Sequence, residues 1–332
     1  MNILLTGGAG YIGSHICVKL FEYGYTPIVI DNFINSSPKI FQNVNEITDK
    51  EVKLYKGDVR DRDLLDKVFS ENEIYAVIHL AGFKCVGESV QMPYMYYHTN
   101  IVSTLSLLEI MEKHKCYNLI FSSSCTVYGN PKGVPVKEDA ECNQTSPYGR
   151  TKYFQEQILM DMCASNSKWN VISLRYFNPI GSHRSGLIGD LPSGKPNTLM
   201  PYLTGVVTGK YECLSVFGNN YNTEDGTCVR DYIHIEDLAD IHIKSISNLH
   251  SGYKYYNIGT GKGTSVLELI DTFEKATGEK VNYKFTDRRN GDVEIVYCDS
   301  SLAMKEFNWK PTHTLSDACI TALKFARYVN KL

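Results

Sequence analysis

Over the first half of the chain, apolar residues come in short runs that end in glycine, aspartate or serine, and the stretches between the runs repeat at helical spacing. MNILLT, TPIVID, VKLYKGD, YAVIHLAG, NLIFSSS and NVISLRYF have the length and composition of buried strands. Ile12, Ile16 and Leu20 follow the first run at helical intervals, and helices are predicted near 61–70, 93–115 and 147–167. Alternation of this kind predicts a parallel sheet covered on both faces. The fold class expected is α/β, a Rossmann-like doubly wound parallel sheet with a smaller C-terminal α/β substrate lobe.

After Asn178 the pattern gives way to loops rich in Gly, Pro and Asn (GSHRSGLIGDLPSGKPN). Short strands then alternate with helical stretches near 197–209, 235–249, 264–277 and 314–329. Two domains are expected: a cofactor-binding domain over 1–177, to which a segment near 229–260 returns, and a second lobe over most of 178–332. There is no internal repeat and no low-complexity tail.

The order of elements makes the first glycines informative. GGAGYIG places Gly7, Gly10 and Gly13 three apart between a strand and a helix. A glycine at the first position allows the tight turn, at the second it lets a pyrophosphate approach the backbone, and at the third it lets the helix pack closely. The helix N-terminus offers amides and a positive dipole end to the phosphate. Asp31 ends the second strand, where a carboxylate accepts from both adenosine-ribose hydroxyls and repels a 2′-phosphate, which favours NAD over NADP.

A second pair carries chemistry. Tyr148 and Lys152 stand four apart in SPYGRTK and so share a helix face. Pro147 suits the first turn of that helix. A free phenol ionises near pH ~10. An ammonium about 4 Å away, in an effective dielectric of ~20, favours the phenolate by roughly 4 kcal/mol, or about three pKa units. The pair then becomes a base for an alcohol, provided its face lines a cofactor pocket. Tyr128 and Lys132 repeat the spacing, but Pro131 between them argues against a continuous helix. Other chemistry gathers at strand ends. Asp58 and Val59 follow the third strand, at the place of an adenine edge. Leu80, Ala81, Gly82 and Lys84 follow the fourth strand, and Ser122 to Thr126 end the fifth. Ser124 is the candidate partner of a substrate hydroxyl, since a hydroxyl both donates and accepts. Cys125 reads as a buried small residue, and His79 as a satisfied core histidine.

Composition removes other classes. The 332 residues carry a formal charge of −3, which gives no electrostatic case for nucleic acid or an anionic membrane. No apolar run approaches the ~18 residues that span a bilayer. The chain begins directly in a strand, so no signal peptide is expected. Ten cysteines without a CxxC pair point to a reducing cytoplasm and to no structural metal.

TGGAGYIGSH, GDVRD, HLAGFKCVGESV, FSSSCTVYG, SPYGRTK, RYFNPIG, NTLMPYL, VFGNNYNTEDGTCVRDYIH and YNIGTG together resemble the UDP-glucose 4-epimerases, a family of the extended short-chain dehydrogenases/reductases. The resemblance runs in order to about residue 310. It implies a bound NAD kept between turnovers and a substrate such as UDP-galactose or UDP-glucose. Tyr148 would take the proton of the sugar 4′-hydroxyl as C4 passes a hydride to the nicotinamide. The 4-keto sugar would turn over and take the hydride back on its other face. Lys152 would hold the nicotinamide ribose and lower the tyrosine pKa, and Ser124 would position the hydroxyl. Tyr11, Ile12, Asp31, Asn32, Asn35, Ser36, Asp58, Val59, Lys84, Asn100 and Phe177 match cofactor positions, beside Gly7, Gly10, Gly13, Leu80, Ala81, Gly82 and Ser122. For the UDP-sugar, Asn178, Leu199, Phe217, Arg230, Arg289 and Asp292 match, with Lys84, Thr198 and Val216 beside them.

Two departures from the family pattern matter. Thr99 and Thr198 stand where relatives often carry asparagine. Val296 stands where a bulky residue limits relatives to plain hexoses, so UDP-N-acetylglucosamine and UDP-N-acetylgalactosamine are expected as further substrates. A homodimer through the helices near 93–115 and 147–167 is implied as well. A nucleotide-sugar dehydratase or decarboxylase would need an extra acid in SSSCTVYG, and there is none. A UDP-glucuronate epimerase and a non-catalytic NAD-binding sensor are the alternatives carried along.

Overall fold

All six apolar runs become strands of one sheet in the computed structural model, which describes residues 1–192, 194, 196–289 and 291–331. These strands are β1 (Asn2–Thr6), β2 (Thr26–Asp31), β3 (Lys53–Lys56), β4 (Ile74–His79), β5 (Asn118–Ser124) and β6 (Asn170–Tyr176). The strand Gly252–Ile258 adds beside β6, giving the order Gly252–Ile258, β6, β5, β4, β1, β2, β3. The pairs among β1 to β6 are parallel. The direction of winding reverses between β1 and β4, and in such sheets ligands bind outside the carboxyl ends at that reversal.

Helices α1 (Tyr11–Glu22), α2 (Ile40–Thr48), α3 (Arg62–Glu71), α4 (Val86–Gln91), α5 (Pro93–Lys113) and α6 (Pro147–Ser165) connect the strands. α2 and α4 were not predicted. α4 is only six residues long and α2 buries only Phe41 and Val44, so neither shows a long apolar stripe. The α6 boundary follows its local chemistry: Ser146 caps it by accepting from the Gly149 amide at 3.1 Å, and Pro147 occupies the first turn. The chain around Tyr128 and Lys132 forms no helix beyond a three-residue 3-10 turn, Cys125–Val127. Leu4, Ile28, Val77, Leu107, Leu119 and Trp169 share one buried core under the sheet. Each such aliphatic side chain contributes about 1.5–3 kcal/mol by leaving water.

Two compact units are present. The first comprises Met1–Gly129, Glu141–Tyr176 and Ala239–Tyr256, and the second comprises Asn130–Ala140, Phe177–Leu238 and Asn257–Leu332. In the second unit, helices Leu199–Val207, Val266–Thr277 and Leu315–Val329 pack around Leu203, Phe273 and Leu323. Its strands pair in small sheets. Leu214–Phe217 runs parallel to Tyr283–Thr286, and Val229–Arg230 lies between Thr264–Ser265 and Ile295–Val296. No helix among the described residues is long and apolar enough to cross a membrane.

Candidate active site

The turn from β1 to α1 separates the parts played by its three glycines. Gly7 has φ +71°, and a Cβ there would stand 2.9 Å from the Ala81 backbone. A Cβ on Gly13 would stand 2.6 Å from the Gly8 Cα, so the close helix approach forbids any side chain. Gly10 differs: a Cβ there would meet only the Gly7 carbonyl, at 3.4 Å. Packing does not demand glycine at 10, and what its absent side chain leaves is room at the start of α1, which has no side-chain cap. Tyr11 and Ile12 open that helix. A pyrophosphate fits this cradle.

Asp31, 7% exposed, faces the same turn. Its Oδ2 accepts from the Ala9 amide at 2.9 Å, and its Oδ1 accepts from the Phe33 amide at 2.8 Å and the Ser36 hydroxyl at 3.0 Å. Beside it, Asn32 donates to Asp58 at 3.0 Å, and Arg60 clasps Asp58 at 2.8 Å. The Arg60 guanidinium holds the Asp58 carboxyl down at about 2. Val59 is buried in the core, whereas Asn35 is exposed. The carboxyl ends of β2 and β3 thus carry a ring of polar groups suited to an adenosine.

At the ends of β4 and β5, Leu80 donates its amide to the Thr6 carbonyl at 3.1 Å and Lys84 is exposed. Asn100 is fully buried. Its Oδ1 accepts from the Phe83 amide at 2.8 Å, and its Nδ2 donates to the Phe83 carbonyl at 3.1 Å and to Thr151 at 3.0 Å. It therefore fixes the 82–84 loop directly.

Tyr148, Lys152 and Ser124 are all buried in the first unit, on α6 and the end of β5. The Lys152 ammonium donates to the Ser122 carbonyl at 2.6 Å and lies 4.8 Å over the Phe121 ring. The Tyr148 ring packs against Tyr96 at 6.5 Å, near-perpendicular. Tyr96 is itself held by Glu88, to which it donates at 2.7 Å. A net lowering of the phenol pKa is not what this site shows. Burial pushes the Tyr148 phenol up to about 12, against the neighbouring Ser124 hydroxyl, which favours the phenolate. The same burial pulls Lys152 down to about 7, opposed by Glu156. The spacing argument counted only the neighbouring charge, and desolvation outweighs it.

The sequence reading missed what lies behind the pair. Arg175 donates twice to Glu156, at 2.9 and 2.6 Å, and Ser123 donates to the same carboxylate at 2.5 Å. Arg175 also donates to Tyr128 at 2.9 Å and stacks on Tyr255 at 4.1 Å. Glu156 lies one turn beyond Lys152, and an acid four residues after a lysine was the one available signal.

The second unit holds the other candidates. Arg289 lies over the Phe217 ring at 4.4 Å, and its carbonyl accepts from the Asp292 amide at 3.2 Å. Val296, 6% exposed, pairs in register with Arg230, whose guanidinium donates to the Val229 carbonyl at 2.9 Å. Asn178 donates its amide to Asp231 at 2.9 Å, while its Oδ1 is buried with no partner among the described residues. Such an orphaned acceptor suits a ligand donor. Phe177 is buried beside it, and Val216 belongs to the core. Thr198 and Leu199 open the helix Leu199–Val207, and the Thr198 hydroxyl reaches Asp190 at 3.5 Å.

Comparison with known proteins agrees along the whole chain. A family model described as GDP-mannose 4,6 dehydratase matches residues 4–321. The UDP-glucose 4-epimerase of Dictyostelium discoideum is 50% identical over 98% of this chain and 95% of its own length. That of Bacillus subtilis is 51% identical over 96% of this chain and 95% of its own. The solved structure of a UDP-glucose 4-epimerase from Bifidobacterium longum, in complex with NAD+ and UDP, matches with a TM-score of 0.96 at 47% identity, covering 99% of this chain and 98% of that one. Because the likeness extends across both units and is not confined to the nucleotide-binding sheet, the chain belongs to the UDP-glucose 4-epimerase family.

Proposed function

We infer that this protein is an NAD-dependent 4-epimerase that interconverts UDP-galactose and UDP-glucose through a 4-keto sugar. The observation that carries the reading is the burial of Tyr148, Lys152 and Ser124 together at the end of a glycine-looped parallel sheet. The glycine turn, Asp31 and the Asp58–Arg60 pair hold the dinucleotide, with Lys152 and the 80–84 loop at its nicotinamide end. Bound NAD supplies a hydride acceptor and donor for C4.

Every other step belongs to side chains. Ser124 orients the 4′-hydroxyl, and the Tyr148 phenolate removes its proton and later returns it to the 4-keto oxygen from the same phenol. Ionising a phenol of pKa about 12 at pH 7 costs roughly 7 kcal/mol. Lys152 in its charged form favours the phenolate and so offsets part of that cost. Burial excludes bulk water from the proton transfer. Arg230, Arg289, Asp292, Phe217 and Asn178 take the UDP moiety, the arginines by bidentate bonds to diphosphate. The small Val296 beside Arg230 leaves room for a 2-acetamido group, so the acetamido pair of UDP-hexoses is also turned over.

The protein acts as a homodimer, a reading supported by large hydrophobic side chains that α5 and α6 leave exposed, among them Tyr94, Leu105, Phe154 and Met160 at 79, 44, 45 and 42%. A cytoplasmic setting fits ten cysteines without a disulfide. The test is incubation of the purified protein with UDP-galactose and no added NAD. UDP-glucose should form, and its absence in protein shown to contain NAD would overturn the assignment.

A further inference from the structure

A chain of buried hydrogen bonds runs behind the site and joins Thr6, His79, Thr104, Thr151 and Gln155, to which no function has been given, to Ala81 and Asn100. The Ala81 amide donates to the Thr6 hydroxyl at 3.3 Å, and Thr6 meets His79 Nδ1 at 2.7 Å. On the other side of the ring, His79 Nε2 meets the Thr104 hydroxyl at 3.0 Å. Thr104 also receives Gln155 Nε2 at 2.6 Å and donates to the Asn100 carbonyl at 3.2 Å. The Asn100 amide continues to Phe83 and to Thr151, and the Thr151 hydroxyl donates to the carbonyl of Tyr148 at 2.8 Å. Thr6, His79, Asn100, Thr104, Thr151 and Gln155 are at most 1% exposed.

Proton counting fixes the direction. Thr6 accepts from Ala81, and the only acceptor within reach of its own proton among the described residues is His79 Nδ1. If Nδ1 carried a hydrogen, Thr6 would receive two donors and its own hydrogen would be buried without a partner, which is costly. The Thr104 proton is placed on Asn100, so its oxygen is open to a hydrogen on Nε2.

We propose that His79, held as the neutral tautomer with its hydrogen on Nε2, is a positioning residue that ties the Ala81–Lys84 loop to the helix carrying Tyr148. The inference rests on the epimerase reading for its kinetic consequence but not for its geometry. Burial, with Lys152 as the facing charge, holds the imidazole down at about 3, so the ring stays neutral through the working range. The Phe121 ring, 6.0 Å away, adds no titratable group. A protonated ring would point two hydrogens at hydroxyls and break the chain at Thr6.

Nitrogen-15 NMR of labelled histidine tests the tautomer, with a His79→Gln spectrum identifying the signal among the nine histidines. The expected signature is a hydrogen on Nε2 and no titration between pH 5 and 8. A hydrogen on Nδ1, or a midpoint in that window, overturns the proposal. Coupling is read in Thr104→Val, which removes the acceptor of Nε2 at nearly constant volume, and in Thr104→Ser, which keeps it. Amide exchange at Ala81 and Phe83 should quicken in the valine variant and return in the serine variant. Alongside it, kcat should fall about tenfold with the KM for UDP-galactose unchanged. Unaltered exchange and kcat in Thr104→Val would sink the positioning role. Wild-type protein without epimerase activity would refute the functional reading alone, since tautomer and exchange are read without substrate.

Discussion

Replacing Lys152 by methionine should stabilise the fold while abolishing turnover. Lys152 is 4% exposed, and burial lowers its pKa from 10.5 to about 7. The unfolded chain therefore binds the proton more tightly than the native one, and stability contributed by this group rises with pH between the two values. Below the native pKa the full penalty applies. With these two pKa values it amounts to about 5 kcal/mol at pH 6, falls to about 2 kcal/mol at pH 9, and vanishes above the unfolded pKa. Methionine fills a similar volume without a charge. What is lost is the bond to the Ser122 carbonyl, about 2 kcal/mol. The variant should thus gain ~3 kcal/mol at pH 6 and be near neutral at pH 9. Urea unfolding of both proteins, free of dinucleotide, at the two pH values measures this. A variant less stable than wild type at pH 6, or a difference that does not shrink toward pH 9, would refute the argument that burial depresses this lysine.

Three further outcomes follow from the same site. Tyr148→Phe should lower kcat at least a thousandfold while the purified protein keeps its dinucleotide, measured by turnover and by absorbance of extracted cofactor; retained turnover would remove the phenol as the base. Val296→Tyr should stop conversion of UDP-N-acetylgalactosamine and spare UDP-galactose, read by chromatography of the product sugars; equal loss on both would place Val296 outside the sugar site. Glu156→Gln leaves the Arg175 guanidinium buried without its carboxylate, and should cost about 3–5 kcal/mol in denaturant unfolding at pH 7; a cost under 1 kcal/mol would show that the arginine is held without the carboxylate's charge.

How much of this was legible follows from the range of the interactions. The six sheet strands were readable because apolar runs and their boundaries are local, and so were the glycine turn and the Ser146–Pro147 start of α6. The His79 chain was not readable as a chain, because Thr6 and His79 are 73 residues apart and each looks ordinary in its own strand. Arg175 carries no local sign that its partner is Glu156. The pKa of Tyr148 was misjudged for a related reason: spacing gives the neighbouring charge but not the desolvation around it. In the second unit, Arg289 over Phe217 joins residues 72 positions apart, and only the family resemblance had grouped them.

The buried face of α6 explains why this helix depends on directional bonds. Its buried residues are Tyr148, Gly149, Thr151, Lys152, Gln155, Glu156 and Leu159, of which only Leu159 is a large aliphatic. A helix held by an apolar stripe can rotate or slide by small amounts at little cost, because dispersion contacts are soft and non-directional. Here Thr151 and Gln155 are bonded into the His79 chain, Lys152 to the Ser122 carbonyl, and Glu156 to Ser123 and Arg175. These bonds reach α5, β5 and β6, so rotation about the helix axis lengthens several at once. Each is short-ranged and angle-dependent. The phenol at position 148 must hand a proton to one oxygen and take it back, and a misplacement of about 1 Å can cost 100-fold. Polar burial along α6 is destabilising taken group by group, yet it supplies the angular restraint that an apolar face lacks.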